Sequence, residues 1–443
     1  MPFVPHTEED RRAMLAAIGV GGVADLFAAV PERVRLREAP DLPPGVPEPE
    51  MLRELRALAA RNRPILDRPC FLGGGMYRHA IPAAVDALQG RLEFVTAYTP
   101  YQPEASQGTL GAFFEFQTMI CELTGMEVAN ASMYDGASAF AEGCLLATSA
   151  TGRRRVLVSR GVHPHARAAL RTATAHAGIE VEEVTLAGGS TVLPRSIPTD
   201  AACLALQNPN FLGAIEEVAP LCEAAHGGGA LGVVSVNPIA LGLLASPGEC
   251  GADVAVGEGQ PLGVPPNYGG PSFGFFAARQ EFIRRMPGRI VGETVDRDGK
   301  RGYVLTFQTR EQHIRREKAT SNICTNNALM ALRGAIYLAS LGPRGLREVA
   351  SACATTAHAA AERIFAIPGY APLLEGPFFH EFAVRCARGV ERVRAALAAA
   401  GIAGGIPLAR FHPEYPDALL FAFTEANTPE EVDLLVETLR RVQ

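Results

Sequence analysis

Ala252-Asp253-Val254-Ala255-Val256-Gly257-Glu258-Gly259-Gln260-Pro261-Leu262-Gly263 reads as a short strand that runs into a tight glycine-rich loop. Four of the five residues from Ala252 to Val256 are apolar. Such a run, without alternation, suits a strand covered on both faces of a sheet. Open parallel sheets bind ligands in loops beyond the carboxyl ends of their strands. The loop here offers an amide, Gln260, at that place.

Working outward, the same pattern repeats. Val156 to Val158, residues 180–186, residues 203–207, Leu231 to Val236 and Phe273 to Ala277 are further strand candidates. Between them lie helical stretches at 108–124, 135–149, His165 to His176 and Glu216 to Ala225. Apolar strands alternating with helices predict an α/β fold with a mostly parallel sheet covered on both faces.

After residue 325 the pattern changes. A helix is expected from Asn326 to about Leu341 and another over 345–364. Strands follow at His380 to Val384, Leu408 to Phe411 and Leu419 to Phe423, with a helix at 388–400 between them. Thr428-Pro429-Glu430-Glu431 opens a last helix with an N-cap threonine, a proline at the first position and a capping-box glutamate. This tail reads as a small C-terminal α+β domain, 331–443, beside a large α/β domain, 81–330.

Residues 1–80 read as a helical and extended arm. A helix is expected at 8–18 and another at 21–30. The proline-rich run Pro40 to Pro49 makes an extended linker, and a helix with Leu52, Leu55 and Leu58 on one face follows it. An arm of this kind needs another surface to lie on, its own large domain or a partner.

Composition excludes several classes. The 443 residues are 48% hydrophobic and 20% charged, with a net charge of -6. There is no basic tail or Lys/Arg cluster of nucleic-acid size. The mixed-sign run Arg310 to Lys318 reads as a solvated helix face or an inter-subunit salt-bridge band. No stretch is long and apolar enough to span a bilayer, and no basic n-region precedes an apolar run near the start. The nine cysteines stand singly with no C-x-x-C pair, which suits reduced thiols in a cytoplasmic protein. Only two lysines occur, Lys300 and Lys318. The histidines form no H-E-x-x-H motif, and no metal site is expected.

The glycine-rich segments bear on phosphate chemistry. Gly73 to Gly75 and Gly227 to Gly229 lack the G-x-G-x-x-G spacing of a dinucleotide site, and no P-loop lysine follows them. Gly227 to Gly229 reads as a wide helix-to-strand turn or a helix C-cap. Asp135-Gly136-Ala137-Ser138 opens a helix. Its free N–H groups and the Ser138 hydroxyl suit an anion, whereas Asp135 suits a plain N-cap that would repel one.

Polar clusters give the remaining candidates. Tyr98-Thr99-Pro100-Tyr101-Gln102-Pro103-Glu104-Ala105-Ser106-Gln107-Gly108 gathers Tyr98, Tyr101, Gln102, Glu104, Ser106 and Gln107 around two prolines. It reads as the rim of a pocket or interface, or as a segment in which Ser106 or Gln107 merely starts the next helix. Asn208, after a strand, either bonds a ligand ring or makes an Asx-turn. His163 is a candidate pocket residue or aromatic lid, and Asn267 and Tyr268 are polar groups at a loop rim.

Four stretches together carry a resemblance: YTPYQPEASQG at 98–108, QTMICELTGM at 117–126, VGEGQPLG at 256–263 and KATSNICTN at 318–326. They resemble glycine dehydrogenase (decarboxylating), the P-protein of the glycine cleavage system, and within it the alpha-type chain called subunit 1 where the protein is split. The resemblance covers nearly the whole chain. It implies the fold-type I architecture of pyridoxal phosphate enzymes and an alpha-2 beta-2 assembly. It also implies a reaction in which glycine loses its carboxylate as carbon dioxide and its aminomethyl group passes to the lipoyl arm of the H-protein.

In the beta subunit of that family a His-Lys pair ends the strand matching Ala252 to Val256, and the lysine holds the cofactor. The matching pair here is Gly259-Gln260, and an amide cannot form the Schiff base. The family's fold also sets an aspartate against the pyridine nitrogen, on the strand matching Leu231 to Val236. No aspartate lies between Gly227 and Ala252.

The resemblance therefore implies no catalytic residue in this chain alone and no covalently bound cofactor on it, with pyridoxal phosphate expected on the beta subunit. Ser138, His163, Asn208, Gln260 and Asn267 then mark a degenerate cofactor site. Tyr98, Tyr101, Gln102, Glu104, Ser106 and Gln107 are candidates for a wall facing the partner. Two rival readings remain. One is a purely structural stabiliser of the beta subunit. The other is an independent pyridoxal phosphate enzyme using Lys300, in a hairpin turn at Asp298-Gly299-Lys300, or Lys318, in a charged helical segment.

Overall fold

The structure is a computed structural model that describes residues 5–36, 38, 40–95, 98–267, 270–323 and 326–442. Tyr268, Gly269, Cys324 and Thr325 lie outside the described residues. The chain divides into two compact units, Met1–Arg63 and Pro64–Gln443.

In the first unit, helix α1 (Glu8–Ile18) starts at a capping box. The Thr7 hydroxyl accepts the Asp10 N–H, and the Asp10 carboxylate accepts the Thr7 N–H at 2.7 Å. These bonds satisfy donors that a helix start leaves open. Helix α2 is Glu48–Ala59. Neither helix has a buried residue, and Ile18, Phe27, Leu36, Leu42, Leu55 and Leu58 are exposed. The helix expected at 21–30 is a single 3₁₀ turn, Val23–Phe27. The Asp25 carboxylate accepts the N–H groups of both Gly21 and Gly22 at 2.9 Å, which tightens the turn.

The second unit contains α3 (Gln107–Thr124), β1 (Val128–Ala129), α4 (Gly136–Thr151), β2 (Arg155–Ser159), α5 (Pro164–Thr174), β3 (Glu180–Val184), β4 (Ala201–Asn208), α6 (Val218–Gly227), β5 (Leu231–Val236), β6 (Val254–Glu258) and β7 (Gly274–Ala278). The strands form one seven-stranded sheet in the order β1-β7-β6-β5-β4-β2-β3. Strands β3, β2, β4, β5 and β6 run parallel; at one edge β7 pairs antiparallel with β6, and β1 pairs antiparallel with β7. This is the mostly parallel sheet expected.

Alternate residues of β6 face opposite cores. Ala255 packs with Phe116, Ile120, Phe273 and Phe275, while Val254 and Val256 pack with Phe140, Val158 and Phe276. Each fully buried phenylalanine contributes ~2 kcal/mol through removal of its ring from water. The pairing Ser235↔Val256 sets the carboxyl ends of β5 and β6 side by side.

A hairpin, β8 (Ile290–Val295) and β9 (Arg301–Thr306), follows. Its turn contains Asp298, Gly299 and Lys300, as the sequence suggested, and the Asp296 carboxylate accepts the Lys300 N–H. Helix α7 (Ala328–Phe365) is one run broken at Gly342, whose φ is 61°, next to Pro343. The two helices expected there meet at that break.

The tail adds β10 (Tyr370–Pro372), β11 (Glu381–Cys386), α8 (Val390–Ala399), β12 (Ile406–Pro407), β13 (Ala418–Ala422) and α9 (Pro429–Arg441). Its four strands form an antiparallel sheet in the order β10-β11-β13-β12. Leu408 to Phe411, expected as a strand, is instead the 3₁₀ turn Leu408–Arg410. The N–H groups of Phe411 and His412 both bond back to the Leu408 carbonyl, so pairing ends at Pro407. Helix α9 starts as expected, with the Thr428 hydroxyl accepting the Glu431 N–H. Among the described residues no helix is long and apolar enough to cross a membrane.

Candidate functional site

A cavity of about 800 Å³ opens beyond the carboxyl ends of the parallel strands. Strand ends bring Gln207, Ser235 and Glu258 to it, and α5 brings His163 at its N-cap. The segment Leu72 to Tyr77 covers one side, and His380 and Glu381 enter from the small antiparallel sheet. This is where an open parallel sheet places a ligand.

Gln260 lies just behind this cavity and is only 2% exposed. Its Oε1 accepts the Tyr77 N–H at 2.8 Å. Its Nε2 donates to the carbonyls of Tyr77 at 2.9 Å and Val264 at 2.6 Å. The amide therefore uses both its donor and its acceptor character, which an ammonium lacks. A β-carbon on Gly259 would collide with the Phe273 ring, so glycine is required beside it.

The start of α4 is closed by carboxylates from within the chain. Asp135 caps it: Oδ1 accepts the Ser138 N–H at 2.7 Å, and the Ser138 hydroxyl bonds back to the Asp135 backbone. Ser138 is thus spent on the cap. Glu258 reaches the same end. Its Oε2 accepts the Gly136 N–H at 2.9 Å, and its Oε1 accepts the Gln260 N–H at 3.0 Å and the Ser272 hydroxyl. Burial raises the Glu258 pKa, against the lowering effect of the Ser272, Gly136 and Gln260 donors.

Two histidines at the cavity are held neutral. His163 Nδ1 accepts the His165 N–H at 3.0 Å, so Nε2 carries the proton that it donates to the Gly74 carbonyl at 2.7 Å. Burial pulls its pKa down to about 4. His380 Nδ1–H donates to the Phe423 carbonyl at 3.0 Å, and Nε2 accepts from the Asn237 amide at 2.9 Å. Burial lowers its pKa to about 3. Beside it, Glu381 accepts the Gly74 N–H at 2.6 Å and the Tyr77 hydroxyl at 2.5 Å. Burial lifts this carboxyl to about 7.

Behind the cavity, His79 Nδ1 and the Cys353 thiol both donate to Glu425 Oε2, at 2.8 and 3.2 Å. Their ligand-type atoms lie within 4.8 Å of one another. The hydrogen bonds they exchange make the group a catch between distant segments.

The candidates named from sequence separate into three places. His163 lines the cavity, and Gln260 and Ser138 stand beside it with their polar atoms engaged. Asn208 turns away: its Oδ1 accepts the Glu216 N–H at 3.0 Å, and its neighbour Gln207 faces the cavity instead. Asn267 is exposed, and its carbonyl accepts the Gly270 N–H. Tyr98 and Tyr101 are 75% and 74% exposed, and Gln102 and Glu104 are exposed too. Ser106 sits at the N-cap of α3 without a side-chain cap bond. Gln107 bonds the Pro103 carbonyl and both backbone groups of Tyr303, fixing the segment to the β8–β9 hairpin. None of these six lines the cavity. Lys300 and Lys318 are exposed and do not line it either.

Sequence reasoning passed over Tyr77, Glu258, His380 and Glu381. A signal existed for three of them: His380 and Glu381 as a His-Glu pair opening an otherwise apolar strand, and Glu258 as a carboxylate between two glycines at a strand end.

The glycine cleavage system P-protein family model matches residues 1–439. The chain belongs to that family. Among its relatives, the probable glycine dehydrogenase (decarboxylating) subunit 1 of Moorella thermoacetica is 52% identical over 100% of both chains. The corresponding protein of Thermomicrobium roseum is 52% identical over 99% of both. A solved glycine decarboxylase (P-protein) of the glycine cleavage system, in inhibitor-bound form, is 51% identical, with a TM-score of 0.92 over 100% of each chain. A Burkholderia pseudomallei sphingosine-1-phosphate lyase, 18% identical with a TM-score of 0.63 over 93% of each chain, shares the fold.

The cofactor that the P-protein resemblance implies is pyridoxal phosphate, and the residues at this cavity do not fit it. Position 260 carries a saturated amide in place of an amine. The end of β5 offers Ser235 and Val236, which supply no charge to a pyridine nitrogen. The helix start that would receive a phosphate already holds Glu258.

Proposed function

We propose that this chain is the alpha subunit of a split glycine cleavage P-protein, and that it completes and shapes the active site of a beta subunit without holding pyridoxal phosphate itself. The activity of the assembly is decarboxylation of glycine with transfer of the aminomethyl group to the lipoyl arm of the H-protein. The observation that carries this reading is Gln260: a buried amide with three hydrogen bonds, at the position that the family resemblance matches to the beta chain's lysine. End-to-end identity with chains named subunit 1 supports it.

In this reading the bond-breaking chemistry stays with the cofactor on the partner, in an alpha-2 beta-2 assembly in the cytoplasm. This chain contributes surface. Tyr98, Tyr101, Gln102 and Glu104 stand exposed on a segment that Gln107 makes rigid. Exposed tyrosines on a stiff loop give contact area at low entropic cost, which suits a wall against another chain. The first 63 residues, with two helices that bury nothing, supply further apolar surface for an assembly.

Visible absorption and glycine decarboxylation of this chain, of the beta chain and of their mixture test the proposal. Cofactor colour is expected wherever beta is present, and full activity only in the mixture. Carbon dioxide release from glycine by this chain alone would refute it. Tyr98→Phe and Glu104→Gln separate a wall from a stabiliser. Unchanged turnover in a fully assembled double variant would leave only the structural role.

A further inference from the structure

Phosphate seats at helix starts work because free backbone N–H groups and the helix dipole favour negative charge there. Helix α4 has this geometry at the cavity, yet its donors are committed. The Gly136 N–H goes to Glu258 at 2.9 Å and the Ser138 N–H to Asp135 at 2.7 Å. The fit around Glu258 is tight: a β-carbon on Gly136 would stand 2.8 Å from the Glu258 nitrogen. The same carboxylate gathers the Gln260 N–H and the Ser272 hydroxyl, so it ties three segments together. Among the described residues lining the cavity, the only guanidinium or ammonium is that of Arg410, which is exposed at the rim over Phe411.

We propose that Glu258 is a built-in anion: its carboxylate occupies the phosphate seat at the start of α4, holds α4, residue 260 and the Ser272 loop together without a ligand, and closes the cavity to phosphate-bearing molecules. The lysine missing from position 260 is then the lesser barrier to a cofactor. A dianion arriving here meets no free donor at Gly136 or Ser138 and two carboxylates, Asp135 and Glu258, at close range. Like charges at that distance repel strongly once partly buried. This inference rests on the geometry of this chain alone and stands whatever a second chain does.

The test uses the full chain and inorganic phosphate, with chloride at matched ionic strength as control. Phosphate-31 NMR line widths measure binding, and thermal melts measure stability. The wild type is expected to show no saturable binding and the same melting midpoint in both salts. Glu258→Ser empties the seat. It is expected to melt lower in chloride, to recover in phosphate, and to bind phosphate at least tenfold more tightly than the wild type. Glu258→Gln refills the seat with an uncharged amide and should stay unresponsive to phosphate. Saturable phosphate binding by the wild type equal to that of Glu258→Ser would overturn the proposal. So would a folded Glu258→Ser that neither loses stability nor responds to phosphate. Should Glu258→Ser fail to fold, the wild-type and Glu258→Gln titrations still decide, since phosphate binding by either sinks the idea.

Discussion

Gln260→Lys looks at first like a repair, and the structure says it is damage. The wild-type amide accepts one hydrogen bond and donates two, inside a site that is 2% exposed. An ammonium can keep the two donations to the Tyr77 and Val264 carbonyls, but it cannot accept the Tyr77 N–H. A buried N–H left without a partner costs ~1–3 kcal/mol. Burying the positive charge away from water adds a further penalty, with the two carbonyl dipoles as partial compensation. A total loss of ~3–5 kcal/mol follows, a large part of the 5–15 kcal/mol that holds a typical domain together. Urea unfolding of Gln260→Lys and of the near-isosteric Gln260→Met measures it, read from the midpoint at constant slope. Gln260→Lys is also expected to show no borohydride-trapped cofactor adduct while Glu258 remains in place. A lysine variant as stable as the wild type, or one that takes up cofactor with Glu258 intact, would refute both the bonding argument and the occluded seat.

Gln107→Ala removes three bonds to Pro103 and Tyr303. It should cost ~2 kcal/mol by the same urea assay and weaken association with the beta chain in sedimentation experiments. Deleting residues 1–63, which form their own compact unit, should leave the unfolding midpoint of the remainder within a few degrees of the full chain and abolish stable co-sedimentation with the beta chain. Acid stability follows from two buried groups of opposite sign. The folded pKa of His380 is about 3, below its ordinary 6.5, so the unfolded chain takes its proton first and stability falls as pH drops from 6.5 toward 3. Glu381 runs the other way. Its folded pKa is about 7, above 4.5, so its contribution is complete below pH 4.5 and is lost as pH rises through 7. Glu381→Gln should therefore make the loss of stability between pH 7 and 4.5 steeper than in the wild type, measured by urea midpoints across that range.

What could be read from sequence was what local chemistry decides. Thr7 and Thr428 mark helix starts because their hydroxyls serve N–H groups three residues on. The strand Leu231–Val236 is apolar and bounded by breakers, and it stands where it was expected. Gln260 was visible as an amide in an amine's place because its loop carries a recognisable motif. Its bonding partner Tyr77 was not, since 183 positions separate them and only the folded chain brings them together. Asn208 allows two outcomes in sequence, and the fold sets its side-chain oxygen on the Glu216 N–H. The turn at Leu408–Arg410 differs from the expected strand because a short, mostly apolar run such as Leu408 to Phe411 carries the same signal whether or not an adjacent strand edge is free to pair.

The roles proposed for Glu258 and Gln260 also bear on how a fold of this kind can stand without a cofactor. An active site that binds a phosphate-bearing cofactor leaves orphan N–H groups at a helix start and a cavity that needs charge to balance it. Deleting the lysine alone would leave those groups buried and unsatisfied at a cost of several kcal/mol. Here the Gly136 N–H, the Ser138 N–H, the Tyr77 N–H and the Ser272 hydroxyl all have side-chain acceptors from within the chain. In the proposal made above, residue 258 takes the place of a ligand's charge and residue 260 that of an amine. The two are linked through the Gln260 N–H that Glu258 accepts. The consequence is energetic coupling: with Glu258 replaced, the loop that carries Gln260 loses an anchor. The stability cost of Glu258→Ser combined with Gln260→Met should then be smaller than the sum of the single costs by ~1 kcal/mol or more, as for residues sharing one network. Simple additivity in that double-mutant cycle would mean that the two residues stabilise the chain independently.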